Sequence, residues 1–169
     1  QYNEEDEEFW EFSQGTFTQA FEMGSSIKGA TMLAAYDAGV ISIGSVYLDE
    51  IMYLPGGIIK SSVNRTAMGY VNDLKALERS SNVYMFKAIL DMMDGTFVQR
   101  TKFTLDPDKM PMVRNYYAQF GLGVSTGIGF QNEETGIIAD LDPDQLGNYI
   151  DIGIGQLDTY TPLQLAQYI

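Results

Sequence analysis

The chain has 169 residues, of which 45% are hydrophobic, and this is enough for one domain with a sizeable core. It contains no cysteine and no histidine, which excludes disulfides, a thiol nucleophile, Cys- or His-ligated metal sites and a Ser-His-Asp triad. The net charge of −13 argues against a nucleic-acid partner, because a phosphate backbone requires a basic surface.

The start of the chain is acidic and shows no clear hydrophobic period. We expect residues 1–16 to be a weakly ordered lead-in within a single domain spanning residues 1–169. No apolar run approaches the roughly 20 residues that a membrane-spanning helix needs. The chain begins at Gln1, and its last apolar pattern runs to Ile169 without a capping residue. We therefore expect it to be a piece of a longer protein.

Hydrophobic periodicity predicts five helices, over residues 27–38, 67–78, 83–93, 107–120 and from 162 to the end. Residues 40–54 are rich in β-branched and aromatic side chains, which predicts short strands or extended chain, with residues 58–63 as a pairing partner. Ser80-Ser81-Asn82 separates two of the helices, since these side chains favour caps and turns. A glycine-rich loop is predicted over residues 121–129.

Ser25 and Lys28 form the one local pair of a nucleophile and a base that the sequence offers. On a helix, residues at i and i+3 lie on one face, about 5–6 Å apart at Cβ. A lysine amine acts as a base only if its pKa is lowered by burial or by a nearby cation. Alternatively, Ser25 caps the helix and Lys28 points to water, and the spacing alone favours this second interpretation.

The pattern Ser-x-Asn occurs twice, as Ser62-Val63-Asn64 and as Ser80-Ser81-Asn82. Each is compatible with a simple turn. The second lies between two apolar helical segments, where a turn can direct a serine hydroxyl and an amide side chain into a cleft.

Two other candidate motifs, a phosphate-binding loop and a calcium loop, lack residues that they require. The glycines of residues 121–129 lack the Gly-Lys-Ser/Thr sequence of a phosphate-binding loop. Asp140, Asp142 and Asp144 imitate the opening of a calcium loop, but its sixth position is Gln145, where glycine is needed. We therefore predict no metal ion and no cofactor.

Four stretches carry a pattern in a fixed order: FEMGSSIKGATMLAAYDAGV (21–40), ALERSSNVYMFKAI (76–89), YAQFGLGVSTGIGFQNEETG (117–136) and DIGIGQLDTYTPLQLAQYI (151–169). Together they resemble the transpeptidase domain of a class B penicillin-binding protein of Gram-positive type. The first holds the Ser-x-x-Lys motif of that family, and the second holds its Ser-x-Asn motif. Four motifs in order are far more specific than any one of them.

The sequence also departs from the family pattern. Met23 and Gly29 stand where the family often has proline, and the third motif, Lys-Thr/Ser-Gly, does not occur in this sequence. The family has the α/β serine β-lactamase/transpeptidase-like fold. The resemblance therefore implies that this chain is the helical portion of that fold, mainly α with at most short strands or hairpins, and with the central sheet largely absent.

The resemblance implies a role for each motif residue. Ser25 is expected to be the nucleophile and Lys28 its base. Ser80 is expected to relay a proton to the leaving nitrogen and to hydrogen-bond Lys28, and Asn82 to bind the substrate amide. The implied substrates are peptidoglycan stem peptides, and β-lactams are implied to acylate the same serine.

The resemblance also implies a cellular setting for the parent protein: the extracytoplasmic face of the bacterial cell membrane, with proteins of cell division or elongation as partners. Without the third motif we expect this fragment to be incompetent by itself, and we expect it to self-associate through apolar faces that pack on the sheet in the family. A β-lactamase or D,D-carboxypeptidase, and a non-catalytic β-lactam sensor, stay as alternatives.

Overall fold

The computed structural model describes residues 13–169, together with the backbone of two short antiparallel strands, β1 (Tyr2–Asn3) and β2 (Glu8–Phe9). The rest of residues 1–12 lies outside the described residues. Most of the acidic lead-in lies there, so its weak order stays a prediction. The fully described chain opens with a short helix, α1 (Gly15–Thr18).

Six further α-helices follow in the described chain: α2 (Lys28–Asp37), α3 (Asp73–Glu78), α4 (Asn82–Met92), α5 (Met110–Gln119), α6 (Leu146–Asp151) and α7 (Pro162–Tyr168). The 3-10 turns Gly24–Ile27 and Pro107–Lys109 lead into α2 and α5, and a third, Ile152–Ile154, extends α6. The helices predicted over residues 27–38, 83–93 and 107–120, and the last helix, are confirmed.

Helix α4 lies at the centre of the core. Eight of its eleven side chains are buried, and a helix that is apolar on all sides is typical of one enclosed by other elements. It packs against α2, α6, β3 (Val46–Asp49) and the turn Ile152–Ile154. The N-terminus of the most deeply embedded helix therefore carries Ser81 as its N-cap, which fixes the position of the Ser-Ser-Asn motif.

The remaining strands form short antiparallel pairs. Strand β3 pairs with β6 (Gly69–Asn72), β4 (Met52–Tyr53) with β5 (Ile59–Lys60), and β7 (Thr96–Val98) with β8 (Lys102–Thr104). The pairing expected between residues 40–54 and 58–63 is confirmed by β4 and β5. Each sheet in the described part of the chain has two strands, so the expectation of a mainly α fragment with short hairpins is confirmed.

The helix predicted over residues 67–78 is wrong in its first half. Residues Gly69–Asn72 form β6, in which Tyr70 is 78% exposed and Val71 is 1% exposed. This alternation has the period of a strand, and pairing with β3 overrides the local helical pattern. The helix begins only after Asn72, whose side chain accepts from the backbone N–H of Lys75 at 3.0 Å.

Local patterns do not predict α1, the hairpin of β7 and β8, or α6. The hairpin of β7 and β8 has only three residues in each strand, which is too short for a clear period. Helix α6 has six residues and carries a glycine near its start, at Gly147, which lowers helix propensity. In residues 13–169, none of the helices has the length and the apolar character that crossing a bilayer requires.

Gly155 determines how closely the chain can approach the segment before Ser25. Its φ is +75°, and a Cβ built on it would lie 2.6 Å from the backbone N of Gly24. The same two residues are joined by a hydrogen bond from Gly24 N–H to Gly155 O at 3.0 Å. A side chain at Gly155 would therefore push the Ser25 turn away from the turn Ile152–Ile154.

We expect Gly155→Ala to lower the free energy of unfolding by about 2–5 kcal/mol, the sum of backbone strain and overpacking. Gly39→Ala is a matched control, because Gly39 also has a positive φ of +72° but has open space where the Cβ would lie. It should cost only the strain, about 1–2 kcal/mol. Denaturant unfolding measures both losses, and equal losses would show that the close approach to Gly24 is unimportant.

Candidate active site

Ser25 and Lys28 lie where a 3-10 turn becomes an α-helix. Ser25 belongs to the turn Gly24–Ile27, and Lys28 is the first residue of α2. Residues at i and i+3 eclipse one another in a 3-10 helix, and the backbone N–H of Lys28 donates to Ser25 O. Ser25 is exposed, whereas Lys28 is 2% exposed. The turn therefore places an exposed serine and a buried lysine one turn apart on the same face of the helix.

Ser80 approaches this pair from the loop between α3 and α4. Its φ is +53°, a left-handed conformation that is uncommon for a residue other than glycine. The backbone N–H of Ser81 closes the loop by donating to Ala76 O at 2.8 Å. Strain of this kind costs about 1–3 kcal/mol and is often found at functional sites. Here it directs both the carbonyl and the hydroxyl of Ser80 to Lys28.

The Lys28 ammonium donates three hydrogen bonds, which uses all of its protons. The acceptors are Ser80 O at 2.8 Å, Ser80 Oγ at 2.9 Å and Asn82 Oδ1 at 2.6 Å. The Ser80 hydroxyl in turn lies 3.0 Å from Ser25 Oγ and donates to it. A continuous chain of hydrogen bonds therefore joins Lys28, Ser80 and Ser25.

All four residues singled out from the sequence, Ser25, Lys28, Ser80 and Asn82, are thus brought together. The alternative interpretation, in which Lys28 points to water, is wrong, because the amine is buried and bonded to the second Ser-x-Asn motif. The first Ser-x-Asn motif forms no such site: Ser62 is buried, but Asn64 is exposed.

Burial changes the protonation of Lys28. It lowers the pKa of the amine from 10.5 to about 8, and the negative charge of Asp49 opposes this shift only in part. At pH 7 about a tenth of the lysine is then neutral, compared with well under a thousandth for an ordinary lysine. A neutral amine with a lone pair is the form that can accept a proton from a serine.

No sequence motif selects Asp49, a buried carboxylate that contacts the residues around the Ser80-Ser81-Asn82 motif. Its Oδ2 accepts from Ser62 Oγ at 2.6 Å and from Ser81 Oγ at 2.5 Å. Asp49 lies at the end of β3, far from the motif in sequence, and reaches it only because β3 packs on α4. No local spacing signals such a contact.

Other features do not add to the site. A cavity of about 250 Å³ is lined by Leu54, Ile58, Lys60 and Phe103, and contains none of the four site residues. Within residues 13–169, no group of three or more Asp or Glu residues is arranged to hold a metal ion. At the rejected calcium loop, Asp142 instead accepts from the backbone N–H of Asp144 at 2.9 Å, a local turn contact.

Comparison with known proteins gives one consistent result. The family model described as penicillin-binding protein transpeptidase domain matches residues 1–169. Penicillin-binding protein H of Bacillus subtilis (strain 168) is 44% identical over 160 residues, which cover 94% of this chain and 22% of that protein. Penicillin-binding protein 2A of the same strain is 40% identical over 162 residues, which cover 95% and 22%.

A solved structure agrees with these relatives. Penicillin-binding protein 2B from Streptococcus pneumoniae (strain 5204) matches with a TM-score of 0.88 and 31% identity, over 99% of this chain and 28% of that one. The chain therefore spans about a quarter of the length of the proteins it matches.

The lowered pKa of Lys28 gives stability a pH dependence of definite sign. Unfolding returns the pKa from about 8 to 10.5, so between these values the unfolded chain binds more protons and stability rises with pH. Relative to Lys28→Met, the native chain should gain up to about 3 kcal/mol of unfolding free energy over this range. Denaturant unfolding of both proteins measures the difference, in which tyrosine ionisation common to both cancels. A difference that does not change with pH would contradict the lowered pKa.

Proposed function

The chain belongs to the transpeptidase-domain family of penicillin-binding proteins, and we propose that it carries the nucleophile side of a serine D,D-transpeptidase active site. The observation that supports this most directly is the hydrogen-bonded chain from Lys28 through Ser80 to Ser25. It supplies a nucleophile, a base of lowered pKa and a hydroxyl between them, and so it offers a route for serine acyl transfer without histidine.

In the acylation step, Ser25 Oγ attacks the carbonyl of the penultimate D-Ala of a peptidoglycan stem peptide. The Ser25 proton passes to neutral Lys28, and the Ser80 hydroxyl, bonded to both, carries it. The C–N bond to the terminal D-Ala then breaks, and the leaving nitrogen takes a proton from Lys28 through Ser80. An ester between Ser25 and the stem peptide results.

In the second step, an amine of a neighbouring stem peptide attacks the ester, forms the cross-link and returns the proton to Ser25 through the same residues. A β-lactam acylates Ser25 in place of the stem peptide. No cofactor or metal ion takes part in this scheme.

Asn82 serves both the base and the substrate in this proposal. Its Oδ1 accepts from Lys28 at 2.6 Å, and its Nδ2 donates to Ser61 O at 3.3 Å. An amide nitrogen has two protons, so Nδ2 can donate the second to a carbonyl of the substrate peptide. The same side chain thereby orients the base and the peptide to be cleaved.

We propose that this chain alone is a poor acyl acceptor. Neither Lys-Thr-Gly nor Lys-Ser-Gly occurs in its sequence. In the family, that motif binds the substrate carboxylate. It lies on a strand whose backbone N–H completes the oxyanion hole together with the N–H of the serine nucleophile, here Ser25. Loss of one oxyanion donor costs about 10²–10³ in rate. Loss of the carboxylate contact reduces the rate further.

For the parent protein we propose a location at the extracytoplasmic face of the bacterial cell membrane, with proteins of cell division or elongation as partners.

For this chain we propose self-association through apolar side chains at its surface. Ile128, Phe130 and Ile137 are each about half exposed or more, at 47%, 53% and 67%. Contact with another chain requires that such side chains form one contiguous patch.

The activity of the chain can be measured with a fluorescent penicillin. We expect labelling of residues 1–169 to stay far below one label per chain, at the level of a Ser25→Ala control. Stoichiometric labelling that depends on Ser25 would show that the fragment is competent and that the absent motif is dispensable.

The catalytic roles need a complete cleft, which a chimera provides. In it, residues 1–169 replace the matching segment of penicillin-binding protein H of B. subtilis, a relative at 44% identity. We expect a lasting label on Ser25, lost in Ser25→Ala and slowed by about 10³ or more in Lys28→Ala. A folded chimera that is not labelled would refute the proposed function, and rapid release of the label by hydrolysis would favour the β-lactamase alternative.

A further inference from the structure

Asp49 is a carboxylate with 0% exposure that the mechanism above does not use. Its Oδ2 accepts from the hydroxyls of Ser62 and Ser81, and its Oδ1 accepts from the backbone N–H of Met68 at 3.2 Å. None of the ion pairs in the described part of the chain includes Asp49. A buried charge without such bonds would be very costly, so the two hydroxyls are fixed as donors to it.

The same two hydroxyls accept hydrogen bonds from the first turn of α4. Ser62 Oγ accepts from Asn82 N–H at 3.0 Å and from Val83 N–H at 3.3 Å. Ser81 Oγ accepts from Tyr84 N–H at 3.0 Å. These backbone groups have no partner within the helix. Because each hydroxyl has one proton, its donation to Asp49 turns its lone pairs toward these amides.

The first turn of α4 also carries the groups that contact Lys28. Asn82 is its first residue, and Ser80 directly precedes the Ser81 cap. We propose that Asp49 is a positioning residue for the proposed reaction: through Ser62 and Ser81 it fixes Ser80 and Asn82 against Lys28. The effect of this role on catalysis rests on the proposed function. The hydrogen bonds that define the role do not depend on that function.

The charge of Asp49 acts on Lys28 as well. Among the titratable groups of the described residues, on α2 or on the elements packed against it, Asp49 is the one whose field raises the pKa of Lys28. One carboxylate thus acts on both the geometry of the motif and the pKa of the amine, although burial has the larger effect on that pKa. A residue with a purely structural role would affect stability without changing the pKa of Lys28.

The test compares Asp49→Asn with Asp73→Asn in the full chain. Asp73 is a matched control, since it is 2% exposed and accepts hydrogen bonds from Tyr36, from Gly44 N–H and from Leu74 N–H. NMR titration of the Lys28 side chain should show a midpoint lower by roughly half a pH unit or more in Asp49→Asn, and no change in Asp73→Asn. Equal midpoints in the two variants would overturn the proposal.

A second measurement decides the matter if Asp49→Asn does not fold. Ser62→Ala removes the acceptor of Asn82 and Val83, whereas Ser81→Ala removes that of Tyr84. Hydrogen exchange should become about tenfold faster at Asn82 and Val83 in the first variant and at Tyr84 in the second. If neither variant changes these amides, or if both change all three alike, Ser62 and Ser81 do not connect Asp49 to the first turn of α4, and the proposal is overturned.

The titration and the hydrogen-exchange measurement test this inference separately from the proposed function. The titration and the exchange rates are measured without substrate, so they test the positioning of the motif whether or not Ser25 is ever acylated. A chimera that penicillin does not label would refute the transpeptidase proposal and leave these measurements unchanged.

Discussion

The candidate site depends on the burial of one amine. Lys28 is 2% exposed at the start of α2, and a buried ammonium is tolerated only where its protons find acceptors. All three acceptors come from Ser80 and Asn82. The interaction therefore joins the N-terminus of α2 to the N-terminus of α4 and at the same time links the amine, through the Ser80 hydroxyl, to Ser25.

The rest of the fold keeps this contact in place from several sides. Helix α4 is enclosed by the core, so its first turn cannot shift without disturbing the packing. Behind Ser25, the close approach of Gly155 to Gly24 fixes the 3-10 turn. Beneath the motif, Asp49 binds the hydroxyls that cap α4. The packing of α4, the contact between Gly155 and Gly24, and the hydrogen bonds of Asp49 thus all help to hold the residues of the Lys28 hydrogen-bond network in position.

Local sequence predicted those parts of the fold in which local pattern and tertiary packing agree. The stripe of apolar residues in residues 83–93 and the Thr161-Pro162 start of the last helix are of this kind, and α4 and α7 confirm both. The segment Gly69–Asn72 is not, because its pairing with β3 depends on residues far away in sequence. A strand defined by a distant partner gives only a weak local signal.

In the candidate site, too, some residues are predictable from the local sequence and others depend on contacts between distant parts of the chain. The spacing of Ser25 and Lys28 selects them as a pair, yet spacing alone favours an ordinary helix start. The resemblance carried by four motifs is what favours a nucleophile and its base. Asp49 was not identified at all, because its role is created by the packing of β3 on α4. The four motif residues that lie together could be selected from the sequence, whereas the contacts of Asp49 with Ser62 and Ser81 are visible only in the fold.

The central claim, that Lys28 is a buried base, can be tested directly by following the side-chain Nζ and Cε signals of Lys28 by NMR as the pH of the native chain is raised. The account predicts a midpoint near the pKa of about 8 that burial imposes. A midpoint at the ordinary value of 10.5 would contradict it, because Lys28 would then be solvated and nearly always charged at neutral pH.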